Sequence, residues 1–226
     1  MHPVRVEGVE NVPRGAALLV GNHGVLGYES PIFFERVLET CGRLPIGLAD
    51  RWFFRVPVLR DLIVRLGGTY GSMANGIEAL RRGQLVVVYP GGVREVLKDT
   101  RDKYRLLWER SMGFVILATL ARVPIVPFAA AGVDDTYDLV GRLQGTGDFL
   151  MGDRKYDLPV LHGPIPHRVP LWFKFGTPIV PADRGVTRAG DLDGVRSVHQ
   201  EVWSQTQSML DQLVGDWKAA DWKTAA

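Results

Sequence analysis

Five short apolar runs, separated by segments of helical periodicity, constrain the fold of this chain more than any other feature. Runs of this length that are bounded by Gly, Pro or Asn are typical of buried strands. The runs are Ala16–Val20, Leu44–Leu48, Leu85–Tyr89, Ile125–Ala130 and Leu171–Phe175. The segments with helical character are Ser30–Thr40, Asn75–Arg82, Ser111–Ala121 and Gly194–Trp217. This alternation predicts an α/β fold with a mostly parallel central sheet flanked by helices.

The size and composition of the chain exclude several classes of protein. Its 226 residues are enough for a single domain, 1–226, with a substantial core. A hydrophobic content of 46% argues against disorder, and a net charge of +2 gives no reason to expect a nucleic-acid partner. Cys41 is the only cysteine, so no internal disulfide can form. Neither a membrane-spanning run nor the apolar core of a signal peptide is found, and we expect a soluble or peripheral protein.

A histidine follows the first predicted strand, in the glycine-rich loop GNHGVLGYE. Ligands of α/β folds bind at such strand ends. Histidine titrates near neutrality and can take a proton from a hydroxyl group. Glu29 is the nearest downstream carboxylate to His23 and could fix the tautomer of its ring. From residue type and position alone, a structural role for His23 is equally well supported.

A second candidate segment, Tyr89–Arg94, follows the third apolar run. Its paired glycines, Gly91 and Gly92, would let backbone N–H groups approach an anion, and Arg94 suits a phosphate or a carboxylate. A tight turn with a surface arginine would have the same pattern. The chain has no P-loop, GxGxxG, GxSxG or HExxH motif. Nucleotide binding, serine hydrolysis and a metal site are therefore not predicted.

Taken together, four segments resemble the lysophospholipid acyltransferase family, including its branch near diacylglycerol acyltransferases and phytyl ester synthases. They occur in the family's order, between about Val12 and Pro181: LLVGNHGVLGYES, GGTYGSMANGIEAL, VVVYPGGVRE and VPIVPFAAAG. The first is similar to Asn-His-x4-Asp, the third to Phe-Pro-Glu-Gly-Thr-Arg and the fourth to Val-Pro-Ile-Val-Pro. The resemblance implies the glycerol-3-phosphate/lysophospholipid acyltransferase-like form of the α/β fold.

The resemblance also implies a reaction and a site. An acyl group would pass from acyl-CoA or acyl carrier protein to a hydroxyl of a glycerolipid, lysophospholipid or alcohol, without a further cofactor. The implied site has a catalytic pair, His23 as base and Glu29 as its orienting partner. Its anion-binding residues would be Gly91 and Gly92 for the oxyanion and Arg94 for a phosphate. Contacts to the acceptor or membrane would come from Asn22, Tyr28, Asn75, Trp52, Phe53 and Arg55.

The chain departs from the family pattern at three points. Glu29 lies six residues after His23, and Tyr28 occupies the position where the family has its aspartate. Gly91 replaces the glutamate of the third block. The second block lacks its usual arginine, which favours a neutral acceptor such as a diacylglycerol or a long-chain alcohol. An esterase or thioesterase, and a non-catalytic lipid-binding protein of the same fold, remain alternatives.

The stretch Arg51–Leu66 is both apolar and basic. It would suit either a core-packed segment with solvated arginines or a surface that docks on anionic lipid. Pro57 should break it, so that it cannot form one straight helix. We expect peripheral association here, at the cytoplasmic face of a membrane.

Overall fold

A computed structural model describes residues 2–55, 57–108, 111–152, 154 and 157–220. The strands are β1 Val4–Glu7, β2 Ala17–Gly21, β3 Ile46–Ala49, β4 Gly68–Tyr70, β5 Leu85–Val88, β6 Ile125–Ala131, β7 Leu139–Leu143, β8 Leu158–Leu161 and β9 Leu171–Phe175. The α-helices are α1 Glu29–Cys41, α2 Pro57–Arg65, α3 Met73–Arg81, α4 Val93–Val96, α5 Gly113–Ala121, α6 Thr146–Met151 and α7 Leu192–Ala219. Short 3-10 turns connect several of them.

Seven strands form the central sheet, in the order β1-β9-β6-β2-β5-β3-β4. The five strands from β6 to β4 run parallel to one another. The pair β9 and β1 runs in the opposite direction, because β9 is antiparallel to β6. Every residue of the central strand β2 is buried, as expected for a continuous apolar run in a covered parallel sheet. The predicted mostly parallel sheet is confirmed.

The start of α1 differs from the sequence prediction. The helix begins at Glu29, one residue before the predicted start at Ser30, and follows Tyr28 in a right-handed helical conformation. The Ser30 hydroxyl donates to the hydroxyl of Tyr89 at 3.3 Å. This shift places the carboxylate of Glu29 in the first turn of α1, where the positive end of the helix favours it.

The stretch after β3 is broken at Pro57, as predicted. Residues Arg51–Arg55 form a 3-10 turn, and α2 begins at Pro57. Further along, the region 134–170 contains an antiparallel pair, β7–β8, and the short helix α6. Among the described residues, no helix is both long enough and apolar enough to cross a bilayer.

The topology brings the important loops together. Since β2, β5 and β3 are parallel neighbours, the loops after them emerge at the same carboxyl edge of the sheet. These loops carry His23, the Tyr89–Arg94 segment and the entrance to α2. Beneath them, Phe33 of α1 stacks on Phe128 of β6 with ring centroids 4.5 Å apart, which anchors α1 on the sheet.

Candidate active site

His23 and Glu29 form a hydrogen-bonded pair at this edge. The Nδ1 atom of His23 lies 2.6 Å from Oε1 of Glu29. The Glu29 side chain is 1% exposed and the His23 side chain 14% exposed, so only the histidine reaches the surface of the site. Among the described residues none hydrogen-bonds to Nε2, which remains for a substrate. The predicted pairing, six residues apart in sequence, is therefore present in the structure.

The charge state of Glu29 follows from its surroundings. Burial pushes the pKa of Glu29 upward, but the neighbouring His23 and the hydrogen bond from its ring outweigh burial, helped by nearby backbone amides. The net result is a pKa below the usual value for glutamate. Glu29 is thus ionised, and can hold the Nδ1–H tautomer and stabilise a protonated ring.

The loop between the two residues is tightly turned. Leu26 and Gly27 both have positive φ, 59° and 67°. A Cβ on Gly27 would lie 2.9 Å from Cε1 of the His23 ring, so a side chain there would be strained and would also press on the base. The turn brings Glu29 back under His23 although six residues separate them.

The ring of Tyr89 packs against one face of the His23 ring. The two rings stack with centroids 3.8 Å apart and an interplanar angle of 9°. Burial, and after it the charge of Glu29, raises the pKa of Tyr89 well above its usual value, so its hydroxyl stays protonated. The electron-rich face of Tyr89 would favour a positively charged His23 ring.

A second carboxylate, which sequence reasoning missed, lies behind the histidine. Glu95 of α4 is fully buried. Its Oε2 accepts the backbone N–H of His23 at 2.8 Å, and its Oε1 accepts the backbone N–H of Leu107 at 3.0 Å. Burial raises the pKa of Glu95 to about 7, with Lys98 and the two amides acting against it.

Lys98 lies in the same buried region. Its Nζ is 2.7 Å from Oδ2 of Asp134, and neither side chain has any exposed surface. The same carboxylate of Asp134 accepts the N–H of Tyr104 at 2.7 Å. Because unpaired buried charges are strongly unfavourable, this ion pair keeps one positive charge in the core near Glu95 and Glu29. No sequence motif indicated this pair.

The Tyr89–Arg94 segment forms a turn into α4. The N–H of Gly92 already donates to the carbonyl of Tyr89 at 3.0 Å, so the prediction that Gly92 binds an oxyanion is wrong. Within the described residues the N–H of Gly91 has no acceptor, and its predicted role stays open. Gly92 has φ 52° and ψ −134°, which only glycine adopts without strain. Arg94 is exposed on the first turn of α4.

Three predicted acceptor contacts are placed elsewhere by the structure. The Asn22 amide is fully buried and exchanges two hydrogen bonds with the backbone of Ala130, at 3.0 and 2.8 Å, so it joins β2 to β6 and cannot contact an acceptor. Asn75 is exposed, and its side chain donates to the Tyr70 carbonyl at 2.9 Å. The hydroxyl of Tyr28 lies 3.2 Å from Nε2 of His2. Tyr28 is not among the described residues that line the apolar cavity beside His23.

An apolar cavity of about 340 Å³ opens beside His23. Its lining comes from α1, β3, α2 and the turn into α4, and includes Leu26, Phe34, Leu48, Phe53, Leu62, Ile63, Leu66, Tyr89 and Val96. Cavities of this size and polarity hold small apolar ligands. Phe53 is thus a cavity residue rather than a surface one. Arg55 is exposed, and the side chain of Trp52 lies outside the described part of the chain.

A second cavity, of about 330 Å³, adjoins the first at the same edge. Leu48, Ala49, Asp50, Tyr89 and Gly92 line both. Its remaining described lining is small and largely uncharged: Gly71, Ser72, Met73, Val88, Pro90, Ser111, Gly113, Phe114 and Leu117. Asp50 is the charged residue of the described lining, which contains neither lysine nor arginine.

A family model described as Acyltransferase matches residues 3–131, more than half of the 226-residue chain. The chain belongs to the acyltransferase family. The matched part includes the His23–Glu29 pair, the Tyr89–Arg94 turn and Glu95. The family assignment made from the four sequence blocks is thereby confirmed.

Two curated acyltransferase relatives have names that bear on the chemistry. The chain is 31% identical over 188 residues to the Mus musculus "DGAT1/2-independent enzyme synthesizing storage lipids", an alignment that covers 82% of this chain and 55% of that protein. It is 28% identical over 242 residues to the Arabidopsis thaliana "Phytyl ester synthase 2, chloroplastic", covering 92% of this chain and 34% of that protein. The chain thus spans about half or less of the length of these relatives.

One solved structure supports the fold. The 1-acyl-sn-glycerophosphate acyltransferase PlsC of Thermotoga maritima superposes with a TM-score of 0.55 at 17% identity, covering 92% of this chain and 72% of that one. At that identity the likeness concerns the fold, and it agrees with the predicted lysophospholipid acyltransferase-like architecture.

Proposed function

We propose that this acyltransferase-family protein transfers a fatty acyl group from an acyl thioester to the hydroxyl of a neutral lipid, with His23 as general base. The observation that carries the proposal is the His23–Glu29 pair, whose free Nε2 lies at the mouth of an apolar cavity. A base oriented by a carboxylate beside a pocket for a long apolar chain fits acyl transfer to oxygen.

The proton path follows from this geometry. Nε2 of His23 takes the proton of the acceptor hydroxyl as its oxygen attacks the thioester carbonyl. The C–S bond then breaks, and the protonated ring returns the proton to the departing thiolate. Glu29 and Tyr89 favour the charged ring between these two steps. The N–H of Gly91 is the remaining donor for the oxyanion from the pair predicted by sequence.

The first cavity suits the acyl chain. Apart from His23, Ser30 and Asp50, its described lining consists of glycine, proline and apolar residues. Removing an alkyl chain from water stabilises its complex by about 0.8 kcal/mol per buried CH₂. Burial in the cavity can thus hold the acyl chain of the donor while its thioester carbonyl stays beside His23.

The second cavity favours a neutral acceptor. Its described lining contains no lysine or arginine that could bind a phosphate. Hydroxyls of Ser72 or Ser111 could instead bind an uncharged polar group. The names of the mouse and plant relatives, which refer to storage lipids and phytyl esters, agree with a neutral product.

An assay with purified protein tests which class of reaction occurs. The protein is incubated with palmitoyl-CoA, with and without diacylglycerol or a long-chain alcohol, and products are measured by mass spectrometry. We expect ester formation that depends on the added acceptor. Rapid release of free fatty acid without an acceptor would instead show a thioesterase, and bound lipid without turnover a binding protein.

The length of the acyl cavity predicts a specificity change. Phe34 and Gly47 both line this cavity, and a Cβ on Gly47 would lie 2.8 Å from the Phe34 ring. In the sheet Gly47 pairs with Val87, which in turn pairs with Leu19 of β2. Leu19 is two residues, or about 7 Å, before the end of β2, so Gly47 lies about that far from the edge that carries His23.

Phe34→Leu should therefore shift the preferred acyl-CoA toward longer chains, and should lower stability by about 1–3 kcal/mol. A series of saturated acyl-CoAs measures the shift. Phe128→Leu, a buried aromatic outside the described cavity lining, is the control. An unchanged chain-length profile in Phe34→Leu would contradict this assignment of the cavity.

Helix α2 supplies a proposed contact with the membrane. Val58 and Val64 are 77% and 56% exposed, and Leu62 is 50% exposed while also lining the acyl cavity. Arg60 and Arg65 are exposed on the same short helix. Exposed valines beside arginines fit a bilayer with anionic lipid, and α2 would then separate the acyl cavity from the membrane by one side-chain layer.

The double variant Val58→Ser/Val64→Ser tests this contact. We expect its binding to liposomes that contain phosphatidylglycerol to fall by at least about tenfold, because each valine loses roughly 1.5 kcal/mol of burial. Leu120→Ser is the matched control, since Leu120 is 45% exposed near the end of α5, at the opposite edge of the sheet. Co-sedimentation that is equal for all three proteins would exclude α2 as the docking element.

A further inference from the structure

Glu95 has an unusual position for a charged residue without an assigned role. It is fully buried, yet within the described part of the chain its two oxygens go to two backbone amides and not to a basic side chain. Each bond joins α4 to a distant segment, His23 being 72 residues away and Leu107 being 12. An ionised carboxylate that accepts backbone N–H groups makes strong hydrogen bonds in a low-dielectric interior.

The bond to His23 acts on the backbone at the base itself. Glu29 fixes the orientation of the His23 ring through Nδ1, at 2.6 Å. Glu95 fixes the N–H of the same residue, at 2.8 Å, just beyond the last residue of β2. The two carboxylates hold the residue at both ends, one at the main chain and one at the ring.

Gly91 explains how the Glu95 side chain reaches this place. A Cβ on Gly91 would lie 2.8 Å from Oε1 of Glu95 and even closer to its Cγ and Cδ. Gly91 does not have a positive φ, so its backbone would accept alanine. The space that a side chain at position 91 would need is thus filled by Glu95.

Lys98 balances the buried charge. It lies three residues after Glu95, beyond the end of α4, and its positive charge lowers the pKa of that carboxyl against the larger effect of burial. Its ion pair with Asp134 holds it in the core. Lys98 and the two amide hydrogen bonds thus favour the ionised form of Glu95 against burial, although no basic side chain of the described residues contacts it directly.

We propose that Glu95 is a positioning residue that holds the backbone of His23 for proton transfer, and that the bare Gly91 position admits its side chain. This inference rests on the proposed role of His23 as the base. Glu95 is not itself among the described lining residues of either cavity, so it acts through His23.

Two substitutions separate this role from general stability. Glu95→Gln keeps the size of the side chain, but its NH₂ group must face one of the two backbone N–H groups, donor against donor. Gly91→Ala changes no charge and displaces Glu95 sterically. For both we expect kcat to fall about 10²-fold, as for a misplaced catalytic group, with an unchanged KM for acyl-CoA. Glu78→Gln, on the exposed face of α3, is the control.

A double-mutant cycle gives the sharper result. In a Glu95→Ala background the space beside Gly91 is empty, so adding Gly91→Ala should cause no further loss of kcat. Losses that multiply would overturn the proposal, as would near-normal kcat in Glu95→Gln.

Amide hydrogen exchange measures the hydrogen bond between the His23 N–H and Glu95 independently of catalysis. The amide of His23 should be protected in the wild type and should exchange faster in Glu95→Gln and Gly91→Ala. Absence of acyl transfer in the wild type would refute the proposed function, whereas unchanged exchange at His23 in both variants would refute the role of Glu95.

Discussion

His23→Ala is expected to lower kcat for acyl transfer by about 10²–10⁴-fold, the usual contribution of a positioned general base. In the proposed reaction its Nε2 takes the acceptor proton, and no other described residue of the cavity lining is a histidine or lysine that could replace it. The measurement is ester formation from acyl-CoA by purified protein, at saturating donor and acceptor.

This variant needs a check on folding, because it leaves Glu29 buried without its partner. Loss of a buried partner is destabilising, and the Tm of His23→Ala should fall. His23→Asn retains a donor for Glu29 and should be closer to the wild type in Tm while remaining inactive. His162→Ala, in an exposed loop, is the activity control. Near-normal turnover in a folded His23 variant would eliminate the mechanism.

Glu29→Gln is expected to have the second large effect, a loss of about 10⁴-fold in kcat if the pair behaves as other carboxylate–histidine pairs do. The amide of glutamine can donate to Nδ1, which favours the tautomer with the proton on Nε2. That tautomer cannot accept the hydroxyl proton. Glu35→Gln, exposed on the same helix α1, should have normal activity. A Glu29→Gln enzyme within a few-fold of the wild type would mean that the carboxylate does not set the tautomer.

The same substitution predicts a change in acid stability. The folded pKa of Glu29 lies below its usual value of 4.5. The ionised group therefore stabilises the fold above that value, and this stabilisation is lost as pH falls through the lower folded pKa. Thermal unfolding between neutral and acidic pH should show a weaker loss of stability in Glu29→Gln than in the wild type. Parallel curves would show that Glu29 has no lowered pKa.

The sequence predicted five of the seven strands of the central sheet and the His23–Glu29 pair, but not the edge strands β1 and β4. The apolar runs read as strands because a covered parallel sheet requires nearly continuous apolar residues, and β2 is buried throughout. His23 and Glu29 are only six residues apart, so one loop brings them together. Features that depend on residues close together in sequence can be predicted from the sequence alone.

The rest of the site depends on contacts across long sequence separations. Glu95 bonds to a residue 72 positions away, and Asn22 to one 108 positions away. The family resemblance placed Asn22 among the acceptor contacts, whereas the fold assigns it to a link between β2 and β6. The Gly92 N–H donates to the Tyr89 carbonyl within a turn. The presence of two glycines in the sequence does not predict that hydrogen bond.

The most direct test is a competition between acceptors in one reaction. Purified protein receives palmitoyl-CoA together with equal amounts of diacylglycerol and lysophosphatidic acid, and both acylated products are measured by mass spectrometry in the wild type and in His23→Asn. We expect triacylglycerol to be the main product of the wild type and both products to be lost in the variant. Phosphatidic acid as the main product, or ester formation that survives in His23→Asn, would contradict the proposed function.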